Sequence, residues 1–295
     1  MKRLIHTILL LSLALVGCSK SQSVKTGYIK VSPTDSLYYE ETGKGIPIIL
    51  LHGHSLDTRM WDDQFETFSK DHRVVRFDFR GYGKSSLPKE GEQFTHLDDL
   101  LTLMDSLKID KAHIVGLSMG AFIASDMLGL HPERMISCTL ASGGLKTYKG
   151  PSSPMDSLEK AKRDSSIAAL KAKGVDVMKR EWTDALLSSA GSGRERLREP
   201  LTRIIDDWTA WQPLHYEPRT IYAADAAKAF YKRCPETPTL ILQDMHGNGR
   251  SKMLDYLPNG RLVIMQDCGH MMNMEKPEYF NKVVLDFIKE VEASK

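Results

Sequence analysis

Apolar residues occur in two alternating patterns along this chain. Ile46 to Leu51 is a continuous apolar run of the kind buried on both faces of a parallel sheet, and Val74 to Phe77, Ala112 to Val115, Met135 to Leu140 and Thr239 to Gln243 read as further strands. Between them lie stretches with helical spacing: Met60 to Ser69, Leu97 to Leu107 with apolar residues at 97, 100, 101, 103, 104 and 107, and Met119 to Leu130. At the front, Tyr28 to Val31 and Leu37 to Glu41 alternate and flank Pro33-Thr34-Asp35, which predicts a β-hairpin. Arg261 to Met265 reads as a last strand and Pro277 to Val291 as a closing helix. Strand and helix alternate steadily, so the expected core is an α/β parallel sheet behind an antiparallel N-terminal hairpin.

The rhythm breaks between residues 146 and 234. That stretch is helical, charged and irregular, and it holds Trp182, Trp208 and Trp211 of the 4 tryptophans. It reads as a helical cap inserted over the strand ends, with 26–145 and 235–295 forming the core. No internal repeat or low-complexity segment is visible.

The N-terminus follows different rules. Met1-Lys2-Arg3 is a short basic segment, and Leu4 to Val16 is an apolar run of signal-peptide length, too short to span a bilayer. It ends in Leu15-Val16-Gly17-Cys18, which resembles the bacterial lipobox. That resemblance implies that residues 1–17 are removed, that Cys18 carries a thioether-linked diacylglyceryl group and an amide-linked acyl chain, and that the protein is a lipoprotein anchored in the cell envelope outside the cytoplasm. Each buried CH₂ contributes about 0.8 kcal/mol, and more than one chain makes a stable anchor. Residues 18–25 then serve as a polar tether.

Charge changes the picture little. Loss of Lys2 and Arg3 leaves 38 of the 40 basic residues against 38 acidic ones, so nothing suggests a nucleic-acid partner or attraction to anionic lipid. Cys138, Cys234 and Cys268 remain, an odd number that closes no disulfide framework, and neither C-x-x-C nor H-E-x-x-H appears, so no metal site is expected.

Candidate chemistry centres on Gly116-Leu117-Ser118-Met119-Gly120. A G-x-S-x-G between a strand and a helix is a nucleophile elbow: the serine sits on a sharp, strained turn, and a Cβ at either flanking glycine would clash. His52-Gly53 follows the third strand, Asp78-Phe79-Arg80-Gly81-Tyr82-Gly83-Lys84-Ser85 the fourth, and Gly269-His270 the last. Gly83-Lys84-Ser85 mimics the end of a phosphate-binding loop, but that loop needs Gly at the position of Asp78, so the segment reads as structural.

These four motifs, in this order, resemble the α/β-hydrolase superfamily over nearly everything after residue 25. The resemblance implies a mostly parallel eight-stranded sheet with a cap. It implies Ser118 as nucleophile, His270 as general base, and the backbone N–H groups of His54 and Met119 as oxyanion donors, with no cofactor. An imidazole titrates near working pH and can take the serine proton during attack. The side chain of His54 either lines the pocket or faces solvent.

The third member of the triad departs from the pattern. Members place an Asp a few residues past the seventh strand, in a G-x-x-D-like pattern whose acid would fall near Gly247 here. Asp244 is the nearby carboxylate and is taken as the orienting acid, although it stands where members often have Gly; the alternative is that the chain lacks a proper acid. Asp267 lies too few residues before His270 to approach its ring easily. The expected activity is hydrolysis of a small or medium carboxylic ester or lactone through an acyl-enzyme. Two alternatives are a carbon–carbon bond hydrolase of meta-cleavage type and a non-catalytic binding lipoprotein that has lost the acid.

Overall fold

The computed structural model describes residues 23–145, 156–218, 220–246 and 251–294; the signal segment, the lipobox with Cys18 and most of the tether lie outside them. Among the described residues eight strands form one sheet: β1 (Lys25–Lys30), β2 (Ser36–Thr42), β3 (Pro47–Leu51), β4 (Arg73–Phe77), β5 (Ala112–Leu117), β6 (Met135–Ala141), β7 (Thr239–Gln243) and β8 (Gly260–Ile264). Their order is β1-β2-β4-β3-β5-β6-β7-β8. The β1–β2 and β2–β4 pairs are antiparallel and the remaining pairs parallel. The apolar-rich runs form the parallel strands; every residue of β5 is buried.

Alternate residues of these strands feed two apolar layers. Ile48, Leu50, Val74, Val115, Leu117, Leu240 and Leu242 pack with Phe65 and Phe68 of α1 (Asp62–Phe68) and with Phe280, Val284 and Phe287 of α10 (Pro277–Ala293). Ile49, Leu51, Val75, Phe77, Ile114, Leu140 and Ile241 pack on the opposite face with α2 (His96–Ser106) and α3 (Met119–Leu130). The period-two alternation of a strand sends neighbours to opposite faces, so a strand covered on both sides is mostly apolar, and buried polar exceptions take partners: His113 Nδ1 meets Ser137 Oγ at 2.7 Å and Arg76 pairs with Glu40 at 2.6 Å.

Within 146–234 lie α4 (Ser157–Lys173), α5 (Val175–Ser188), α6 (Arg194–Asp207), the one-turn α7 (Trp211–Leu214) and α8 (Ala224–Arg233). Helix α4 starts with a capping box, Asp156 accepting from Glu159 N–H while Glu159 reaches back, and it buries none of its residues. Helix α6 buries Leu197, Leu201, Ile204 and Ile205 at i, i+4, i+7 and i+8, and they join Leu186 and Leu187 of α5 and Met272 and Met274 of α9 (Met272–Glu275). Helix α8 packs against α3, with Phe230 in the layer that α3 shares, so this end of the insertion belongs structurally to the core layer. No helix among the described residues is long and apolar enough to cross a membrane.

The sheet aligns the strand ends that matter. Leu51 pairs with Gly116, Leu117 with Ala141, and Gln243 with Ile264, so the loops carrying His54, Ser118, Asp244 and His270 all leave one edge of the sheet.

Candidate active site

Ser118 joins β5 to α3 with φ 54° and ψ −111°, a left-handed conformation rarely adopted by a residue with a side chain. Such a conformation costs on the order of 1–3 kcal/mol and persists only where its surroundings enforce it. Here the enforcement is steric. A Cβ on Gly116 would sit 2.3 Å from the carbonyl oxygen of Gly120, and one on Gly120 would sit 2.1 Å from that of Leu51. The turn is fixed further by the Ser118 N–H, which donates to Ala141 O at 2.9 Å. Ser118 and Met119 remain half-buried although the strand before them is fully covered.

The N–H of Met119 opens helix α3 and so has no acceptor within it. The N–H of His54 also meets no acceptor among the described residues. Beneath His54 the loop is held by His52. The Phe79 N–H donates to His52 Nε2 at 3.0 Å, so that nitrogen is unprotonated and Nδ1 donates to Gly53 O at 2.8 Å. Burial pushes the His52 pKa down to about 4, and the ring stays neutral.

The His54 side chain faces inward. Its Nδ1 lies 2.9 Å from Tyr82 Oη, and its ring meets those of Trp208, Tyr82 and Trp182 edge-on at centroid distances of 5.1, 5.9 and 6.3 Å. Burial lowers its pKa to about 4. Tyr82 Oη also approaches Met119 Sδ at 3.5 Å, so one phenol touches both residues whose N–H groups were singled out. Burial raises the Tyr82 pKa, and the charge of Glu217 raises it further; burial likewise pushes Glu217 itself up to about 7, against the pull of Arg163. Tyr82, Trp182, Trp208 and Glu217 were not foreseen as site residues; the one hint was the concentration of tryptophan in the insertion.

His270 follows β8 and is half-buried. Its carbonyl accepts from Ser142 Oγ at 2.9 Å, and Ser142 follows Ala141, the residue that binds Ser118 N–H. The last residue of β6 and the residue after it thus tie the Ser118 and His270 loops together. Burial lowers the His270 pKa, and the carboxylate of Asp244 pulls it back up, so Asp244 lies within the electrostatic reach of the ring. Asp244 Oδ1 accepts the His246 N–H at 2.9 Å. Among the described residues, no hydrogen bond links the His270 ring to Ser118 Oγ or to the Asp244 carboxylate. The charge of Asp244 is felt at the His270 ring, but no hydrogen bond between them closes a triad; Gly247, where the sequence pattern would put an acid, is outside the described residues. Asp267 points away, bound to Lys276 at 2.7 Å and to Ser192, which hold its carboxyl well below the usual range.

The Asp78-to-Ser85 segment is scaffold. Asp78 accepts the N–H groups of Thr58 and Lys84, each at 2.8 Å, and Arg80 binds Asp99 at 2.6 Å and Asp35 at 3.0 Å with its guanidinium over the Phe94 ring. Cys268 is a buried packing residue whose thiol donates to Met265 O at 3.3 Å.

A parallel sheet, a serine on a strained strand-to-helix turn and a histidine after the last strand decide the fold. The chain has the α/β-hydrolase fold. A family model described as alpha/beta hydrolase fold matches residues 46–167. Among solved structures, a thermophilic esterase from Thermogutta terrifontis superposes with a TM-score of 0.69 at 22% identity, covering 90% of this chain and 99% of its own. An enol-lactonase from Burkholderia xenovorans superposes at 0.65 with 24% identity, covering 89% and 100%. In sequence, the chain is 25% identical over 289 residues to 2-hydroxy-6-oxo-6-phenylhexa-2,4-dienoate hydrolase of Comamonas testosteroni, covering 89% of this chain and 96% of the relative.

Proposed function

We propose that this protein is a serine hydrolase that cleaves a small or medium carboxylic ester or a lactone. The observation that carries the reading is the strained Ser118 turn, with an unclaimed Met119 N–H directly after it. Ser118 Oγ attacks the substrate carbonyl carbon while His270 takes its proton, and negative charge collects on the carbonyl oxygen. The His54 and Met119 N–H groups donate to that oxygen; one such donor contributes on the order of 10²–10³ in rate. His270 then protonates the leaving alkoxide as the acyl-enzyme forms. A water, deprotonated by His270, attacks the acyl carbon and returns Ser118. Asp244, whose charge favours the protonated ring, stabilises the imidazolium.

The esterase and enol-lactonase among the structural neighbours support the ester and lactone classes. The relative from Comamonas testosteroni favours a second reading, hydrolysis of a carbon–carbon bond in a vinylogous diketone. The lipobox-like segment supports anchoring through Cys18 at a membrane outside the cytoplasm.

A fluorophosphonate probe tests the central claim. Ser118 becomes labelled in the wild-type protein and labelling disappears in Ser118→Ala; no labelling of the wild type at any pH overturns hydrolysis in favour of a non-catalytic binder. A panel of esters, lactones and vinylogous diketones separates the two enzymatic readings. Metabolic labelling with a fatty-acid analogue, lost in Cys18→Ser, tests the anchor.

A further inference from the structure

We infer that cap helix α5 and the turn after it brace two catalytic loops at once, with Trp182, Ser189 and Glu275 as the positioning residues; this rests on the roles proposed above for His54 and His270.

One end of the brace reaches the oxyanion loop. Trp182 Nε1 donates to Ser55 Oγ at 2.7 Å, and Ser55 Oγ in turn donates to His54 O. Ser55 is fully buried and holds φ 64°, so its backbone is strained and its side chain has a defined partner on each side. The same indole lies edge-on to the His54 ring. The cap thus fixes the peptide next to the donor N–H of His54 through a single indole N–H.

The other end reaches the base loop. Ser189 caps α5 and its Oγ accepts the His270 N–H at 3.4 Å while donating to Leu186 O at 2.9 Å. Its carbonyl lies where a Cβ on Gly269 would be only 2.1 Å away, so the two backbones meet with nothing between them. The Ser189 carbonyl also accepts from His246 Nε2 at 3.2 Å, next to the Asp244 loop. Glu275 closes the joint. Its carboxylate, 2% exposed, accepts the Gly191 N–H of the cap turn at 2.6 Å and the Gly269 N–H of the base loop at 2.8 Å. One buried carboxylate therefore carries the cap on one oxygen and the residue before His270 on the other.

This arrangement has a physical consequence. Misplacing a catalytic group by about 1 Å can cost on the order of 10²-fold in rate without altering ground-state binding. Nothing in the brace needs to touch substrate for it to set turnover. A shift of α5 moves the oxyanion donor and the base together.

The test uses the full-length protein and three variants: Trp182→Phe, which keeps an aromatic ring and deletes the donor, Ser189→Ala, and Glu275→Gln, which turns one acceptor into a donor facing an N–H. With an activated ester, Trp182→Phe and Ser189→Ala should each lower kcat about 10-fold with KM changed less than twofold. The Trp182→Phe/Glu275→Gln double variant should lose less than the product of the singles, because both act on one element. Effects on KM alone, or strictly multiplicative losses, overturn the brace. Amide hydrogen exchange reads the same joint without turnover, and so separates failure of the brace from failure of the hydrolase reading. Trp182→Phe should speed exchange at residues 53–56 and also at 189–193 and 267–270; acceleration confined to 53–56 overturns the inference. Ser189→Ala, read in the reverse direction, keeps the test decisive if Glu275→Gln does not fold.

Discussion

Ser142 Oγ donates to the carbonyl of His270 across 2.9 Å, one residue after Ala141 accepts the Ser118 N–H. The end of β6 is thus a short strut between the two residues assigned to nucleophile and base. Ser142→Ala removes the strut while leaving the reacting atoms in place. It should lower kcat on an activated ester about 3- to 10-fold, since its loss loosens geometry and removes no reacting group. Steady-state kinetics check this; an unchanged kcat would show that other contacts hold the loop alone.

The pH dependence follows from His270. Burial lowers its pKa below the ordinary 6.5, so the base stays neutral at a pH where a solvated imidazole would be charged. The acid limb of kcat/KM should therefore fall below pH 6.5. Asp244 opposes the burial and favours the charged ring. Asp244→Asn should move the limb to still lower pH and reduce kcat by about 10²–10⁴-fold, the upper end being the cost in a serine-protease triad. A limb that moves up, or does not move, removes Asp244 from the mechanism.

His96 makes a separate prediction about stability. It is fully buried among Phe79, Tyr82 and Phe94, neither ring nitrogen has a partner among the described residues, and burial drives its pKa down to about 3. The folded pKa lies below the unfolded one, so the unfolded chain binds the extra proton and wild-type stability falls as pH drops from 6.5 toward 3. His96→Leu removes this term. Relative to wild type, the variant should gain about 2 kcal/mol between pH 7.5 and pH 5, from roughly 1.36 kcal/mol per pH unit below 6.5. Urea melts at the two pH values decide it, and comparing two chains cancels the opposing buried carboxylates Asp78 and Asp99, both pushed up to about 6.

Arg80 anchors the loop that carries Tyr82. It and its partners Asp35 and Asp99 are all buried. Arg80→Met leaves the buried Asp35 and Asp99, and the partly exposed Glu92, without their cation and should cost about 3–5 kcal/mol. Adding Asp99→Leu in the same chain should recover part of that loss; chemical denaturation of both variants gives the comparison.

Much of this was legible because local sterics speak through sequence. The elbow glycines are readable since no other residue fits where Gly116 meets Gly120 and Gly120 meets Leu51. The inner strands are readable since double coverage favours apolar residues at most positions; the boundary of β8 shifts by one residue, from Arg261–Met265 expected to Gly260–Ile264 observed. What was not legible rests on distant pairs. Trp182 finds Ser55 across 127 positions and Gly191 finds Glu275 across 84, and no local pattern encodes such partners. The inward turn of His54, left open by the sequence, is set by Tyr82, Trp182 and Trp208, which come from three separate segments.

The place of β8 at the outer edge of the sheet carries one more consequence. The residue assigned to deprotonate Ser118 follows β8, the last strand in chain order among the described residues. On the roles proposed for Ser118 and His270, a chain whose β8 has not docked would lack its base. The onset of probe labelling during refolding would then report the docking of that edge strand.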